Sequence, residues 1–290
     1  MMEIKLKALA KINLGLDVLR RREDGYHEVR MIMQTVGLYD RIVIQKLKEP
    51  EIQVKTNLFY VPENENNLVY QAAKLLMDEF GLKCGVHIDL QKFIPVAAGL
   101  AGGSSDAAAV LYGMNQMFHL NLSKRDLMKR GVNIGADVPY CIMRGTALAE
   151  GIGEKLSPLP PMPDCKVLVA KPSVSVSTKF VYENLKLDES AVHPDIDALL
   201  SGLKEGDLRK IASNMGNILE SVTIPNFPVI REIQEEMRRH GALNAMMSGS
   251  GPTVFGLFED GKLAEEAYGS LREGELAKQV YLTDIYNNRR

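Results

Sequence analysis

The chain has 290 residues, with 35 lysines and arginines against 37 aspartates and glutamates, a formal net charge of −2. That balance excludes a protein that grips nucleic acid or an anionic membrane by bulk charge. A hydrophobic fraction of 46% with 25% charged residues excludes disorder and collagen-like structure, and the length favours two domains over one core.

Residues 8–18 alternate: Ile12, Leu14, Leu16 and Val18 face one way, Lys11, Asn13, Gly15 and Asp17 the other, the signature of a half-buried strand. Asp24-Gly25 marks a turn and Tyr26 starts the return. Residues 41–45 and 51–55 read as further short strands. Residues 67–80 are helical, with Leu68, Ala72, Leu75, Leu76 and Phe80 on one stripe and Gly81 as C-cap. A strand over 86–90 leads through Pro95 into a glycine-rich loop and a helix over 105–118. Ser123 caps the next helix, and Asp137-Val138-Pro139 opens another. Residues 157–163, with four prolines, read as an irregular inter-domain linker. Beyond it are a strand over 166–170, helices over 178–185, 195–203, 207–211, 217–221 and 229–240, a hairpin over 243–258, a helix over 262–271 and a strand over 280–284.

No apolar run is long enough to span a membrane, and the amino-terminal residues lack the apolar core of a secretory signal. Cys84, Cys141 and Cys165 are odd in number and far apart. They read as thiols of a reducing compartment, not as a disulfide framework or zinc site. A cytoplasmic protein with neither nucleic acid nor membrane as partner is expected.

The stretch Pro95-Val96-Ala97-Ala98-Gly99-Leu100-Ala101-Gly102-Gly103-Ser104-Ser105-Asp106 is the most informative. Its backbone is bare, and Ser104, Ser105 and Asp106 offer N-cap oxygens to the helix that follows. A bare backbone entering a helix N-terminus suits a phosphate; a tight strand-to-helix turn is the plainer reading. Neither a P-loop nor a dinucleotide fingerprint is present. Lys11 and Asn13 fit a solvated strand edge or a cleft that receives transferring phosphate. Asp137 fits an N-cap or a carboxylate that orients a hydroxyl. Residues 145–154 read as strand and turn, and Met247-Ser248-Gly249-Ser250-Gly251-Pro252-Thr253 as a hairpin turn, although Ser-Gly-Ser-Gly can also form a backbone nest for an anion. The five histidines show no metal spacing.

In order along the chain, Ala10-Lys11-Ile12-Asn13-Leu14, Asp24-Gly25-Tyr26-His27, the glycine-rich stretch, Gly135-Ala136-Asp137-Val138-Pro139 and the 247–256 turn resemble the small-molecule kinases that include galactokinase, homoserine kinase, mevalonate kinase and phosphomevalonate kinase. The resemblance implies an α+β protein. A ribosomal-protein-S5-like α/β domain with a left-handed crossover, residues 1–160, would bind nucleotide. A ferredoxin-like α+β domain, residues 161–290, would complete the active-site cleft between them. It implies ATP and Mg2+, with Pro95 and Gly99, Leu100, Ala101, Gly102, Gly103, Ser104 and Ser105 around the phosphates. Asn67 and Lys92 would line the nucleotide pocket, and Lys11 and Asp137 would form the catalytic pair. Magnesium ligands stay unassigned, with Ser105 a candidate. The Asp-Gly-Tyr-His segment implies a small-molecule substrate, a cytidine diphosphate-linked methylerythritol phosphorylated at its 2-hydroxyl. Asn13, Tyr26, His27, Thr178 and Tyr182 would bind it, and Tyr26 and Tyr182 would flank the cytosine ring. Two alternatives remain: a kinase for a smaller alcohol such as homoserine or mevalonate, and a non-catalytic nucleotide sensor. Two departures from the pattern stand out. Ala101 occupies a position that is glycine in many family loops, and Met33 one that is often aromatic.

Overall fold

Two long strands open the chain, β1 (Glu3–Arg21) and β2 (His27–Lys46). The computed structural model describes residues 3–189 and 191–288; Met1 and Met2, part of the amino-terminal stretch read as lacking a secretory signal, lie outside the described residues. The turn between the strands follows the expected chemistry. Gly25 has φ +86°, and the Asp24 carboxylate accepts the Tyr26 N–H at 3.1 Å. Residues 41–45 are not a separate strand but the far end of β2. The side-chain pattern lapses at Gly37 because a Cβ there would lie 2.7 Å from Thr283 Oγ1, while the backbone continues unbroken.

The chain divides into two units whose segments interleave, residues 1–10, 38–96 and 101–143 in one and residues 11–37, 97–100 and 144–290 in the other. Each of β1 and β2 contributes one end to each unit.

In the first unit, β3 (Ile52–Thr56) runs parallel to β4 (Val86–Gln91). β4 is antiparallel to β2, with Arg41 opposite Gln91 and Lys46 opposite Val86. Four helices complete the unit: α1 (Leu68–Phe80), α2 (Gly102–Met117), α3 (Lys124–Gly131) and α4 (Val138–Met143). α1 has the expected C-cap, Gly81 at φ +57°, and its N-cap is Asn67, which was expected as the first helical residue and accepts from Val69 N–H. Its buried stripe is Val69, Ala72, Ala73, Leu76 and Met77, which leaves Phe80 exposed under the Arg130 guanidinium. Ser123 and Asp126 form a reciprocal capping box on α3, the arrangement that satisfies two orphan donors at once. α2 buries Ala107, Ala108, Ala109 and Gly113. Small residues let it lie directly on the strands: a Cβ on Gly113 would sit 2.6 Å from Leu6 Cδ1 and 2.7 Å from Ile44 Cδ1.

In the second unit, β5 (Thr146–Gly151) and β6 (Lys155–Pro158) form a hairpin, and β5 pairs antiparallel with β2 from Val29 to Gln34. Ser157 and Pro158, read as linker, close strand β6 instead. Within this unit β6 pairs only with β5, and the end of such an edge strand tolerates proline's missing N–H. β7 (Lys166–Lys171) follows, then α5 (Thr178–Asn184), α6 (Ile196–Glu205) and α7 (Leu208–Ser213). The helix expected over 217–221 is replaced by the two-residue strand β8 (Gly216–Asn217), parallel to β1 at Gly15 and Leu16, and by α8 (Glu220–Asn226). Asn217 Oδ1 accepts from Leu219 N–H at 3.0 Å, a local bond that delays the helix. Next come α9 (Val229–Arg239), β9 (Asn244–Met247), β10 (Val254–Phe258), α10 (Gly261–Glu273) and β11 (Gln279–Asp284). The order β11-β7-β10-β9, antiparallel throughout, with α9 and α10 packed on the strands, is the ferredoxin-like arrangement expected. The chain is thus α+β, with two sheets.

Among the described residues no helix is long and apolar enough to cross a membrane. Cys141 and Cys165 are buried, and burial pushes the Cys165 thiol up to about 12.

Candidate active site

The first unit holds the end of the glycine-rich stretch. α2 begins at Gly102, three residues before the expected start, so Ser104, Ser105 and Asp106 lie inside its first turns and do not cap it. The N-cap is Ala101, in the left-handed region at φ +54°, with no side-chain cap. Ser105 Oγ is buried and donates to Leu9 O at 2.6 Å. Gly103 is exposed, and a Cβ there would meet only Leu68 Cδ1, at 3.5 Å. The helix therefore presents the N–H groups of its first turn with no side chain capping them, at the positive end of a 16-residue dipole, a ready anion site. Ala97 (φ +50°), Gly99 (φ +76°) and Ala101 all take left-handed backbone within five residues. For each alanine that costs about 1–2 kcal/mol, the kind of strain that gathers at ligand clamps.

Asp137 lies in the same unit. Its carbonyl accepts from Cys141 N–H at 3.0 Å, which puts it at the cap position of α4. The turn it ends runs beside the α2 N-terminus, for a Cβ on Gly135 would lie 3.7 Å from Ser104 Oγ.

Asn67 and Lys92 are engaged within the fold. Asn67 Nδ2 donates to Pro62 O at 2.7 Å while its Oδ1 caps α1. Lys92 Nζ donates to Asp40 and, at 2.6 Å, to Asp106, all three side chains at most 5% exposed. Asp40 Oδ1 also accepts the N–H groups of Phe93 at 2.5 Å and Ile94 at 2.8 Å. Burial acts to lower Lys92, but the Asp106 and Asp40 carboxylates outweigh it and hold its pKa above the ordinary value. For Asp106 burial dominates the Lys92 attraction, Asp40 adds to it, and the pKa is pushed well up; its Oδ1 has no partner.

In the second unit, the polar face of β1 is buried, not solvated. Lys11 Nζ donates to Asn13 Oδ1 at 2.8 Å, and Asn13 Nδ2 to Met31 Sδ at 3.3 Å. Leu100 O accepts the Lys11 backbone N–H at 3.1 Å. α6 covers this face, its Leu199 and Ile196 crowding Gly15 to 2.6 and 2.8 Å from a would-be Cβ. Met33 is wholly buried. Tyr26 is 61% exposed. The ring that Tyr182 meets is His27, with centroids 5.0 Å apart at 43°. Burial and the Arg21 charge lower the His27 pKa, so its imidazole is neutral at pH 7, with one donor and one acceptor.

The turn at residues 248–251 counts among the motifs of the family resemblance but, taken alone, reads as a plain hairpin. Ser248 Oγ donates to Gly99 O at 2.9 Å, and Ser250 Oγ lies 2.8 Å from Thr178 Oγ1. Asn217 Nδ2 donates to the carbonyls of Met247 (2.9 Å) and Gly249 (2.8 Å). The turn is thus the support on which Gly99 rests and the partner of Thr178. Its repeated serine and glycine were the available signal. Asp40, alone in a strand, gave none.

The profile described as GHMP kinases N terminal domain matches residues 67–145, and that described as GHMP kinases C terminal matches residues 199–275. The chain is 60% identical over 286 residues to the 4-diphosphocytidyl-2-C-methyl-D-erythritol kinase of Lachnospira eligens, covering 99% of each, and 57% identical to that of Lachnoclostridium phytofermentans, covering 99% of this chain and 98% of the relative. A crystal structure of 4-(cytidine 5'-diphospho)-2C-methyl-D-erythritol kinase superposes with TM-score 0.85 at 33% identity, over 98% of this chain and 100% of the other. Homoserine kinase from Cytophaga hutchinsonii shares the fold, at TM-score 0.80 and 22% identity over 97% and 94%.

Proposed function

Because the chain belongs to the GHMP kinases, we propose that it transfers the γ-phosphoryl group of ATP to the 2-hydroxyl of 4-diphosphocytidyl-2-C-methyl-D-erythritol. The products are the 2-phosphate and ADP, in the non-mevalonate route to isoprenoid precursors. The observation that carries this reading is the α2 N-terminus: two glycines and no side-chain cap, with Asp137 in the adjoining turn. Such an end fits a polyphosphate through backbone donors and needs little net positive charge.

Gly99 to Ser105, with Pro95, wrap the phosphates, and Asn67 and Lys92 shape the nucleotide side. Asp137 orients the substrate hydroxyl and accepts its proton at the carboxylate as the oxygen attacks in line. Lys11 neutralises charge that develops on the transferring group. Asn13, Tyr26, His27, Thr178 and Tyr182 bind the cytidyl substrate. Tyr26 offers an exposed aromatic face for stacking, and neutral His27 a donor and an acceptor for the polar edge of cytosine. No group of three or more metal-ligating side chains occurs among the described residues. Mg2+ bound with the nucleotide would offset the charge of the phosphates; the Ser105 hydroxyl, the candidate ligand, donates to Leu9 O. The domains are read as residues 1–160 and 161–290, a reading with which profile matches over 67–145 and 199–275 are compatible. The composition and the number and spacing of the cysteines favour the cytoplasm.

ADP release with ATP and Mg2+ tests the reading. The cytidyl substrate should be turned over and homoserine and mevalonate should not, and Asp137→Asn should lower kcat about 10³-fold while nucleotide still binds. No ADP above background with the cytidyl substrate would refute the activity. An unchanged rate in the variant would return Asp137 to a capping role.

A further inference from the structure

Of the buried cluster of Lys92, Asp40 and Asp106, only Lys92 has a place in the chemistry just described, on the nucleotide side; the two carboxylates have none. Burying two carboxylates and an ammonium is costly, and an apolar trio of similar volume would serve stability as well or better. Its position in the chain gives a different reason for it. Asp40 Oδ1 accepts the N–H groups of Phe93 and Ile94, the last two residues before Pro95. Lys92 Nζ, held by Asp40, reaches across to Asp106 in the second turn of α2. It also lies 3.2 Å from where a Cβ on Gly102 would stand, so the ammonium packs against the first residue of the helix. One cluster thus grips residues 92–94 at the entry of the glycine-rich segment and residues 102 and 106 at its exit. Strained alanines at 97 and 101 persist only if something fixes the ends of that segment.

We propose that Asp40 is a positioning residue for nucleotide binding: through Lys92 and Asp106 it clasps the two ends of the glycine-rich segment and so sets where the N–H groups of α2 meet the phosphates. The inference rests on the reading that α2 binds the nucleotide. Asp40 touches no substrate, and its effect passes through Lys92, the two amides and Asp106. Asparagine at position 40 can either accept the two N–H groups and turn its NH2 toward Lys92, donor against donor, or accept from Lys92 and release the amides. One end of the clasp opens in both cases.

Calorimetric titration of the full chain with ADP and Mg2+, and separately with 4-diphosphocytidyl-2-C-methyl-D-erythritol, tests this. Asp40→Asn should weaken ADP binding at least tenfold and leave the cytidyl ligand within twofold of wild type. Should that variant not fold, Asp106→Asn keeps the Asp40–amide bonds and loosens only the exit; it should weaken ADP binding severalfold with the same selectivity. A merely structural cluster would lower the bound fraction for both ligands alike. Parallel losses, or ADP affinity within twofold of wild type in the variant tested, overturn the clasp and leave the kinase reading standing. Failure of the wild-type chain to bind ADP overturns both.

Discussion

Two short segments rich in glycine and serine, residues 99–105 and 248–251, look alike in the sequence and fold to opposite ends. In the first, the chain enters a 16-residue helix with no side-chain cap, and exposed Gly103 carries donors toward solvent. In the second, the chain turns into β10, and Ser248, Gly249 and Ser250 all bond within the protein. Glycine content therefore does not mark an anion site. What separates the two segments is the element that follows, a helix N-terminus in one and a strand in the other. The second segment serves the first by supporting Gly99 from below.

The largest effect should come from breaking that support. Gly99→Ala puts a Cβ 2.1 Å from Ser248 O at a residue with φ +76°, which should cost about 3 kcal/mol and lower Tm by roughly 6 °C or more in thermal unfolding. An unchanged Tm would mean the two segments do not depend on each other. Gly103→Asp sharpens the contrast from the other side. A carboxylate at a helix N-terminus should hold or slightly raise stability, by up to about 1 kcal/mol, yet repel phosphate and weaken ADP binding at least about tenfold. Equal ADP affinity would reduce the first segment to a packing turn.

The smallest effect concerns Glu220, whose Oε1 accepts from Met247 N–H at 2.7 Å, at the entry of the second segment, and from Gln234 at 2.6 Å. Burial raises its pKa above the ordinary carboxylate value. A carboxyl raised in the folded state binds its proton more tightly there than when unfolded. Its contribution is thus intact at low pH and lost as pH climbs from about 4.5 through the folded pKa. Glu220→Gln keeps an acceptor at that oxygen. It should be more stable than wild type at pH 7, with the gap closing below about pH 4.5 in denaturant titrations. A gap that widens on acidification would contradict this.

Much of the architecture was legible because it is local. Asn67 and Gly81 bound α1, Ser123 opens α3, and Asp24-Gly25 turns β1 into β2, each through chemistry within a few residues. The order of motifs from Lys11 to the 247–256 turn was enough to indicate the kinase family. What stayed hidden depends on distant partners. Asp40 meets Lys92 fifty-two residues away, and the side-chain pattern of β2 lapses at Gly37, where Thr283 leaves no room for a Cβ. On the polar face of β1, Gly15 is covered by α6, far along the chain. Ala101 shows the limit of propensity, since a left-handed alanine ahead of two glycines shifts the helix start by three residues.

The most direct test of the central claim, that the first segment and not the second holds the phosphates, is backbone amide NMR on the wild-type chain titrated with ADP and Mg2+. The amides of Gly102, Gly103 and Ser104 should move most, and downfield, as they take up an anion. Those of Gly249, Ser250 and Gly251 should move little. Larger shifts at residues 249–251 than at residues 102–104 would contradict the account.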